Sequence, residues 1–272
     1  MLFAQLTDLH IPTETKESLD YPNGVRLRQA VSFLNRIPTR PQFALITGDI
    51  ADSTGTMEEY ERAKRILDEL QIPYFIMPGN HDNRTNLRAV FSGHAYLGTQ
   101  PLIDYKIENP AMDIFALDTL IDGQHAGALR PETLTWLEEQ LRLSGSKPVL
   151  IATHHPPFLS GIEAMDEFRC LEGVDRLAEL FARHPNILGV ICGHVHRNVH
   201  GMWQNRPAHI GGSIAPAVEL RMLPKQPIGI WPEPPSINLI SHKPDRGLVF
   251  HNVPYVAAAR LWEGYIKPEH QH

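Results

Sequence analysis

Short apolar runs alternate with longer amphipathic stretches over the first two thirds of the chain. Residues 2–7, 43–47, 74–77, 114–118, 149–153 and 187–192 are each four to six residues long and rich in β-branched or aromatic side chains, which predicts buried strands. Between the first two, Leu27, Ala30, Val31, Leu34 and Ile37 recur at helical spacing and predict one apolar helix face, ended by Pro38. A second helix is predicted over residues 57–70. Thr56 and Glu59 would form its capping box, and Met57, Tyr60, Ala63, Leu67 and Leu70 its buried stripe. Pro131 suits the first turn of a third helix with Leu134, Leu137 and Leu141 inward. Val174, Leu177, Leu180 and Phe181 mark a fourth, ended before Pro185. Strands alternating with helices predict an α/β architecture of sheets covered by helices.

The 272 residues are read as one main domain, with 42% apolar and 21% charged residues, ordinary values for a soluble globular chain. A formal charge of −6, from 31 acids against 25 bases, argues against a dedicated nucleic-acid partner. Residues 1–7 are apolar but lack a leading Lys or Arg and run into Asp8, unlike a signal peptide, and no stretch approaches the ~20 apolar residues of a membrane span. The expectation is a cytoplasmic protein with no membrane partner. Cys170 and Cys192 form no disulfide framework and no metal-binding pair, and Cys192 reads as a buried thiol. The pattern changes after His196: six prolines fall between Pro216 and Pro235, with Trp231 and no clear periodicity. Residues 197–245 are expected to be partly extra strands and partly an inserted cap near the site, which would also pair subunits into a homo-oligomer. Residues 269–272 read as a frayed end.

Five blocks carry the candidate chemistry: Asp8-Leu-His10, Gly48-Asp49-Ile-Ala-Asp52, Gly79-Asn80-His81-Asp82, His154-His155-Pro156-Pro157 and Gly193-His194-Val-His196. Each follows a predicted strand, at the edge of an α/β sheet where loops converge and ligands bind. On a strand, residues two apart point the same way, so Asp8 with His10, and His194 with His196, are expected to act as pairs. Any one block is common as a bare strand-ending turn. Five in order supply the mixed oxygen and nitrogen donors that two divalent ions need.

The set D-x-H, G-D-x-x-D, G-N-H-D/E, H and G-H-x-H resembles the signature of the metallophosphoesterase, or calcineurin-like, superfamily, over residues 8–196. Chain length, His-His-Pro-Pro and Gly-His-Val-His resemble bacterial class III cyclic nucleotide phosphodiesterases and related glycerophosphodiesterases. The resemblance implies a four-layer α/β/β/α sandwich of two mixed sheets flanked by helices, with a small C-terminal cap. It implies that Asp8, His10, Asp49 and His196 hold one metal, and Asn80, His154 and His194, with Asp49 shared, the other. His154 is preferred to His155 because it comes first after its strand. Fe or Mn is implied, with Zn and Co also suited to such donors. A metal-bridging hydroxide would attack a small phosphodiester, a cyclic nucleotide or a glycerophosphodiester. Asn80 and His81 would bind substrate, with His81 protonated to stabilise developing charge and to protonate the leaving alkoxide. Asp52 would orient His81 through a hydrogen bond or, alternatively, serve as a helix-cap or surface carboxylate. A phosphomonoesterase is the alternative enzyme and an inactive metal-bound scaffold the alternative of a different class. The alcohol pocket is expected to draw on residues 197–245 and on the loops at 19–25 and 160–167. Arg26, Arg28 and Arg197 are candidate phosphate or alcohol contacts, or solvated surface charges.

Overall fold

The predicted alternation appears in the computed structural model, which describes residues 1–17 and 22–256. The first half holds β1 (Leu2–Leu6), α1 (Asn23–Arg36), β2 (Ala44–Thr47), α2 (Met57–Leu67), β3 (Tyr74–Met77), α3 (Arg84–Val90), β4 (Tyr105–Ile107), β5 (Asp113–Leu117) and β6 (Gly127–Ala128). There follow α4 (Pro131–Ser144), β7 (Val149–Thr153), α5 (Glu163–Asp166), β8 (Cys170–Glu172), α6 (Val174–Arg183) and β9 (Ile187–Cys192). The last third is β-rich: β10 (Val199–Trp203), β11 (Arg206–Ile210), β12 (Ala217–Val218), β13 (Ile230–Trp231), β14 (Ser236–Lys243) and β15 (Gly247–Pro254).

Two mixed sheets carry the fold. One has the order β15-β14-β1-β2-β3, with β1, β2 and β3 parallel and β14 and β15 antiparallel. The other runs β10-β11-β9-β7-β5-β4, parallel from β11 to β5 and closed by an antiparallel strand at each edge. Strand alternation divides their side chains between two cores. Ile114 and Ala116 of β5 and Leu150 and Ala152 of β7 join Phe3, Leu45 and Ile237 of the first sheet, and the same core takes in Leu27, Val31, Tyr60 and Ala63 of α1 and α2. The intervening Phe115, Leu117, Val149 and Ile151 pack with Leu134 and Leu137 of α4 and Leu177 and Leu180 of α6. The result is helices, sheet, sheet, helices.

Local signals set most boundaries. At α2, Thr56 and Glu59 close the capping box, each side chain bonded to the other's backbone N–H. This helix ends at Leu67 rather than residue 70, and its inward face runs through Tyr60, Ala63, Ile66 and Leu67. Met57, at the first helical position off that face, is therefore 41% exposed. Ile37 has already left α1 in an extended conformation, as the residue before a proline prefers. Much of the stretch after His196 belongs to the sheets. β10 and β11 join through Gln204 and Asn205, both at positive φ, the backbone of a tight two-residue hairpin. Residues 212–235, with the β12–β13 pairing, lie outside the two large sheets. Among the described residues, no helix is long and apolar enough to cross a membrane. The expected frayed end at 269–272 and part of the loop at 19–25 lie outside the described residues.

Candidate metal centre

All five blocks begin one or two residues past the carboxyl ends of β1, β2, β3, β7 and β9. Asp8, His10, Asp49 and His196 bring one ligand atom each to within 4.8 Å of one another. His10 Nε2 lies 3.3 Å from Asp49 Oδ2 and 3.1 Å from His196 Nε2, which is 3.4 Å from Asp8 Oδ1. On the other side of Asp49, His154 Nε2 is 3.3 Å from the same Oδ2 and 3.2 Å from Asn80 Oδ1, and His194 Nδ1 is 3.0 Å from that amide oxygen. Asp49 Oδ2 thus faces both groups.

The outer hydrogen bonds decide which ring atoms are available. His154 Nδ1 donates to Thr47 O at 2.8 Å and His196 Nδ1 to Pro216 O at 3.0 Å, so in each neutral ring Nε2 is a bare lone pair. Lone pairs of imidazoles, an amide oxygen and carboxylates converge with too few protons between them, a donor set that fits a cation in each group. The electrostatics agree. Burial alone would lower His154, but the charge of Asp49, its hydrogen bond and the charge of Asp8 prevail and raise it to about 9. Burial would likewise raise Asp49, yet His154 and His10 hold it well below the usual carboxylate range. Both shifts reflect the positive charge that these carboxylates demand.

Backbone geometry marks the same residues. Asp8, His10, Asp49, His194 and His196 have φ of 51°, 42°, 50°, 73° and 55°, in the left-handed region that L-residues seldom adopt. Such conformations cost of order 1–3 kcal/mol each and persist where surrounding structure imposes them. The two-apart pairs are therefore not aimed by strand alternation, as expected from sequence, but by left-handed turns beyond the strand ends. Interlocking bonds impose those turns. His194 N donates to both oxygens of Asp8, at 2.9 and 3.1 Å, and His81 N donates to Asp49 Oδ1 at 2.9 Å. Gly48, at φ 100°, lies so near His154 that a Cβ there would enter the imidazole, and a Cβ on Gly193 would meet Thr7 Oγ1.

Several expected roles change. His81 Nδ1 donates to the backbone oxygen of Asp52 at 2.9 Å, not to its carboxylate, which is 42% exposed and stands 4.0 Å from His10 Nδ1. Burial lowers the His81 pKa, so the resting ring is neutral rather than protonated. Arg28 reaches Glu69 at 3.8 Å, Arg197 is bound to Glu233 and Val218 O, and Arg26 donates to Ile214 O, so each has a partner within the protein. His155 lies within the His154 and His194 group, but its nitrogens are taken by Thr119 Oγ1 at 2.7 Å and His125 O at 3.0 Å. The residue sequence reasoning missed is Asp82. Its buried carboxylate accepts from Ile50 N, Ala51 N, Gly79 N and the Tyr60 hydroxyl, tying the Gly48 and Gly79 turns together. The signal was present in a carboxylate closing the Gly79-Asn80-His81 turn and in a tyrosine on the apolar face of α2, whose hydroxyl needs a buried partner.

Residues 1–198 match the family described as calcineurin-like phosphoesterase. A probable glycerophosphodiester phosphodiesterase GpdQ of Arcobacter nitrofigilis is 34% identical over 255 residues, covering 92% of each chain. A probable cyclic nucleotide phosphodiesterase of Rhodopseudomonas palustris is 30% identical over 264 residues, 94% of this chain and 93% of its own. In fold, the chain is similar to a dimetal phosphatase from Danio rerio, with a TM-score of 0.67 at 15% identity over 94% of this chain and 99% of that one. With the His and Asp clusters at its strand ends, this chain belongs to the calcineurin-like metallophosphoesterase family and carries a divalent metal centre.

Proposed function

We propose that this protein is a metal-dependent phosphodiesterase acting on a small, soluble diester, in which Asp8, His10, Asp49 and His196 hold one ion and Asp49, Asn80, His154 and His194 a second. The observation that carries this reading is Asp49 Oδ2, 3.3 Å from a nitrogen of each group and so poised to serve both. These donors suit Fe, Mn, Zn or Co, and the family resemblance favours Fe or Mn. When bound, the ions polarise phosphoryl oxygens and ionise water at neutral pH. Asp8 and Asp49 offset only half of the charge of two divalent ions, which leaves the site attractive to an anion although the chain carries −6. Asn80 and His81 bind the substrate phosphate. His81, its Nδ1–H held by Asp52 O, keeps Nε2 free for substrate. An anion beside that nitrogen opposes the effect of burial, so the ring takes up a proton as substrate binds and delivers it to the leaving alkoxide.

The relatives' names support two substrate classes, cyclic nucleotides and glycerophosphodiesters. The cap within residues 197–245 borders the site and pairs subunits, a reading supported by exposed Leu220, Met222, Leu223 and Trp231. Two buried free cysteines suit the cytoplasm. Elemental analysis alongside turnover of bis(p-nitrophenyl) phosphate and p-nitrophenyl phosphate tests the proposal. Near two ions per chain and faster diester hydrolysis are expected, both falling in Asp49→Ala, with diester activity down by at least about a thousandfold. Faster monoester hydrolysis would make the protein a phosphomonoesterase, and metal without turnover of either would make it an inactive scaffold.

A further inference from the structure

A cavity of about 410 Å³ opens beside Asn80 and His81, lined also by Thr54, Gln124 and His125. His81 Nδ1 is held by Asp52 O, which leaves Nε2 as the end of that ring available to a ligand there. A separate cavity of about 340 Å³ adjoins the first ligand group through His10 and His196. The two ligand groups thus open on different cavities, which suits a diester with two alcohol arms. His125 belongs to none of the five blocks and its side chain is exposed, yet its position is fixed. Its backbone oxygen accepts from His155 Nε2 at 3.0 Å. Its ring packs edge-on against Phe168, with centroids 5.8 Å apart, and lies 6.1 Å from the ring of His81. Two residues on, Gly127 sits so near His155 that a Cβ would enter that imidazole, so the loop carrying His125 is seated on the histidine beside the second ligand group. An exposed imidazole held at the wall of a cavity offers hydrogen bonds to whatever enters it.

We infer that this cavity receives one alcohol arm of the phosphodiester and that His125 is a specificity determinant there, hydrogen-bonding a free hydroxyl on that arm. The inference rests on the phosphodiesterase reading above. The lining selects against charge. No lysine or arginine stands among the described lining residues to hold an anionic arm, and the carboxylate of Asp122 would repel one. That carboxylate already pairs with Arg84 at 3.1 Å, so it does not call for a cation. Of the other polar groups in the wall, Ser53 Oγ is committed to Glu59 and Asn83 Oδ1 to the backbone N–H of Asn86. His125, with the exposed Thr54 and Gln124, can both donate to and accept from a neutral hydroxyl.

The test uses a mixed diester, glyceryl propyl phosphate, on the metal-loaded protein. Its arms have carbon chains of equal length, and hydrolysis gives propyl phosphate when glycerol departs or glycerol phosphate when propanol departs. The ratio of the two products, read by phosphorus NMR, reports which arm the cavity holds, and a general loss of activity does not move it. Wild type is expected to favour one product by about threefold to tenfold, and the product favoured tells whether the cavity holds the departing or the retained alcohol. In His125→Ala the ratio should fall towards unity by about threefold or more. His125→Phe, which keeps a ring against Phe168 without the nitrogens, should behave as His125→Ala does and serves in its place if that variant does not fold. His125→Gln keeps a donor and an acceptor at the end of its side chain and should stay nearer wild type. Equal products from wild type, a wild-type ratio in His125→Ala or His125→Phe, or a His125→Gln ratio no different from theirs would overturn the inference. So would turnover of bis(p-nitrophenyl) phosphate with none of the mixed diester. Failure of wild type to hydrolyse bis(p-nitrophenyl) phosphate would instead remove the phosphodiesterase reading beneath it.

Discussion

Asp49 and His154 show how the centre is built at the scale of single residues: each is held in a protonation state by the other. Without an ion, His154 is raised to about 9, so at pH 7 its ring carries a proton that ligation through Nε2 must expel. A histidine raised in the folded state adds stability that is complete below its unfolded value near 6.5 and is lost as pH climbs through about 9. The metal-free protein should therefore lose this contribution over that window, while metal affinity rises across it. Calorimetric titration of the metal into chelator-stripped protein, in buffers of different ionisation enthalpy, should register about one proton released from His154 at pH 7. An enthalpy independent of the buffer would contradict the assignment of Nε2 as a ligand atom. The residue scale is also where sequence is least informative about role. The identity of Asp52 says nothing of its backbone oxygen holding His81, and Asp82 gains its meaning only from the three backbone N–H groups and the hydroxyl around it.

Individual elements were the most legible part of the chain, because their signals are local. The helical period in Leu27, Ala30, Val31 and Leu34, the Pro131 start of α4 and the capping box at Thr56 need no distant partner to operate. That box can be tested in isolation. Thr56→Ala should cost about 1 kcal/mol and lower the thermal midpoint by roughly 2–4 °C, with kcat unchanged, since Thr56 touches only the start of α2. A calorimetric midpoint equal to wild type would show that Glu59, which also accepts from the Ser53 backbone and hydroxyl, holds the turn unaided. Element ends were less legible. The inward face of α2 passes through Ile66 and leaves Met57 in solvent because the sheet beneath decides which arc of a helix is buried.

Across the whole molecule, metal binding and folding should be coupled, since the ligands come from the ends of five strands spread over both sheets and carry left-handed backbone that other contacts must sustain. An ion at a hundredfold its dissociation constant stabilises by about 2.7 kcal/mol. Stripping with a chelator should thus lower the thermal midpoint by about 5–10 °C, reversibly on adding Mn²⁺. An unchanged midpoint after verified metal loss would mean that the centre is assembled without help from its ions. The strand and helix periods, the order of the five blocks and the donor atoms they offer were legible along the chain, since these depend on residue type and on neighbours a few positions away. Packing of the two sheets brought Asp8 to His194, a separation of 186 residues, turned the His155 nitrogens to Thr119 and His125, and set Asn23 Nδ2 to donate to His10 O. Those outcomes follow from how two twisted sheets pack and where their loops are forced into left-handed turns, and spacing along a chain does not encode the relative position of sheets that meet only after folding.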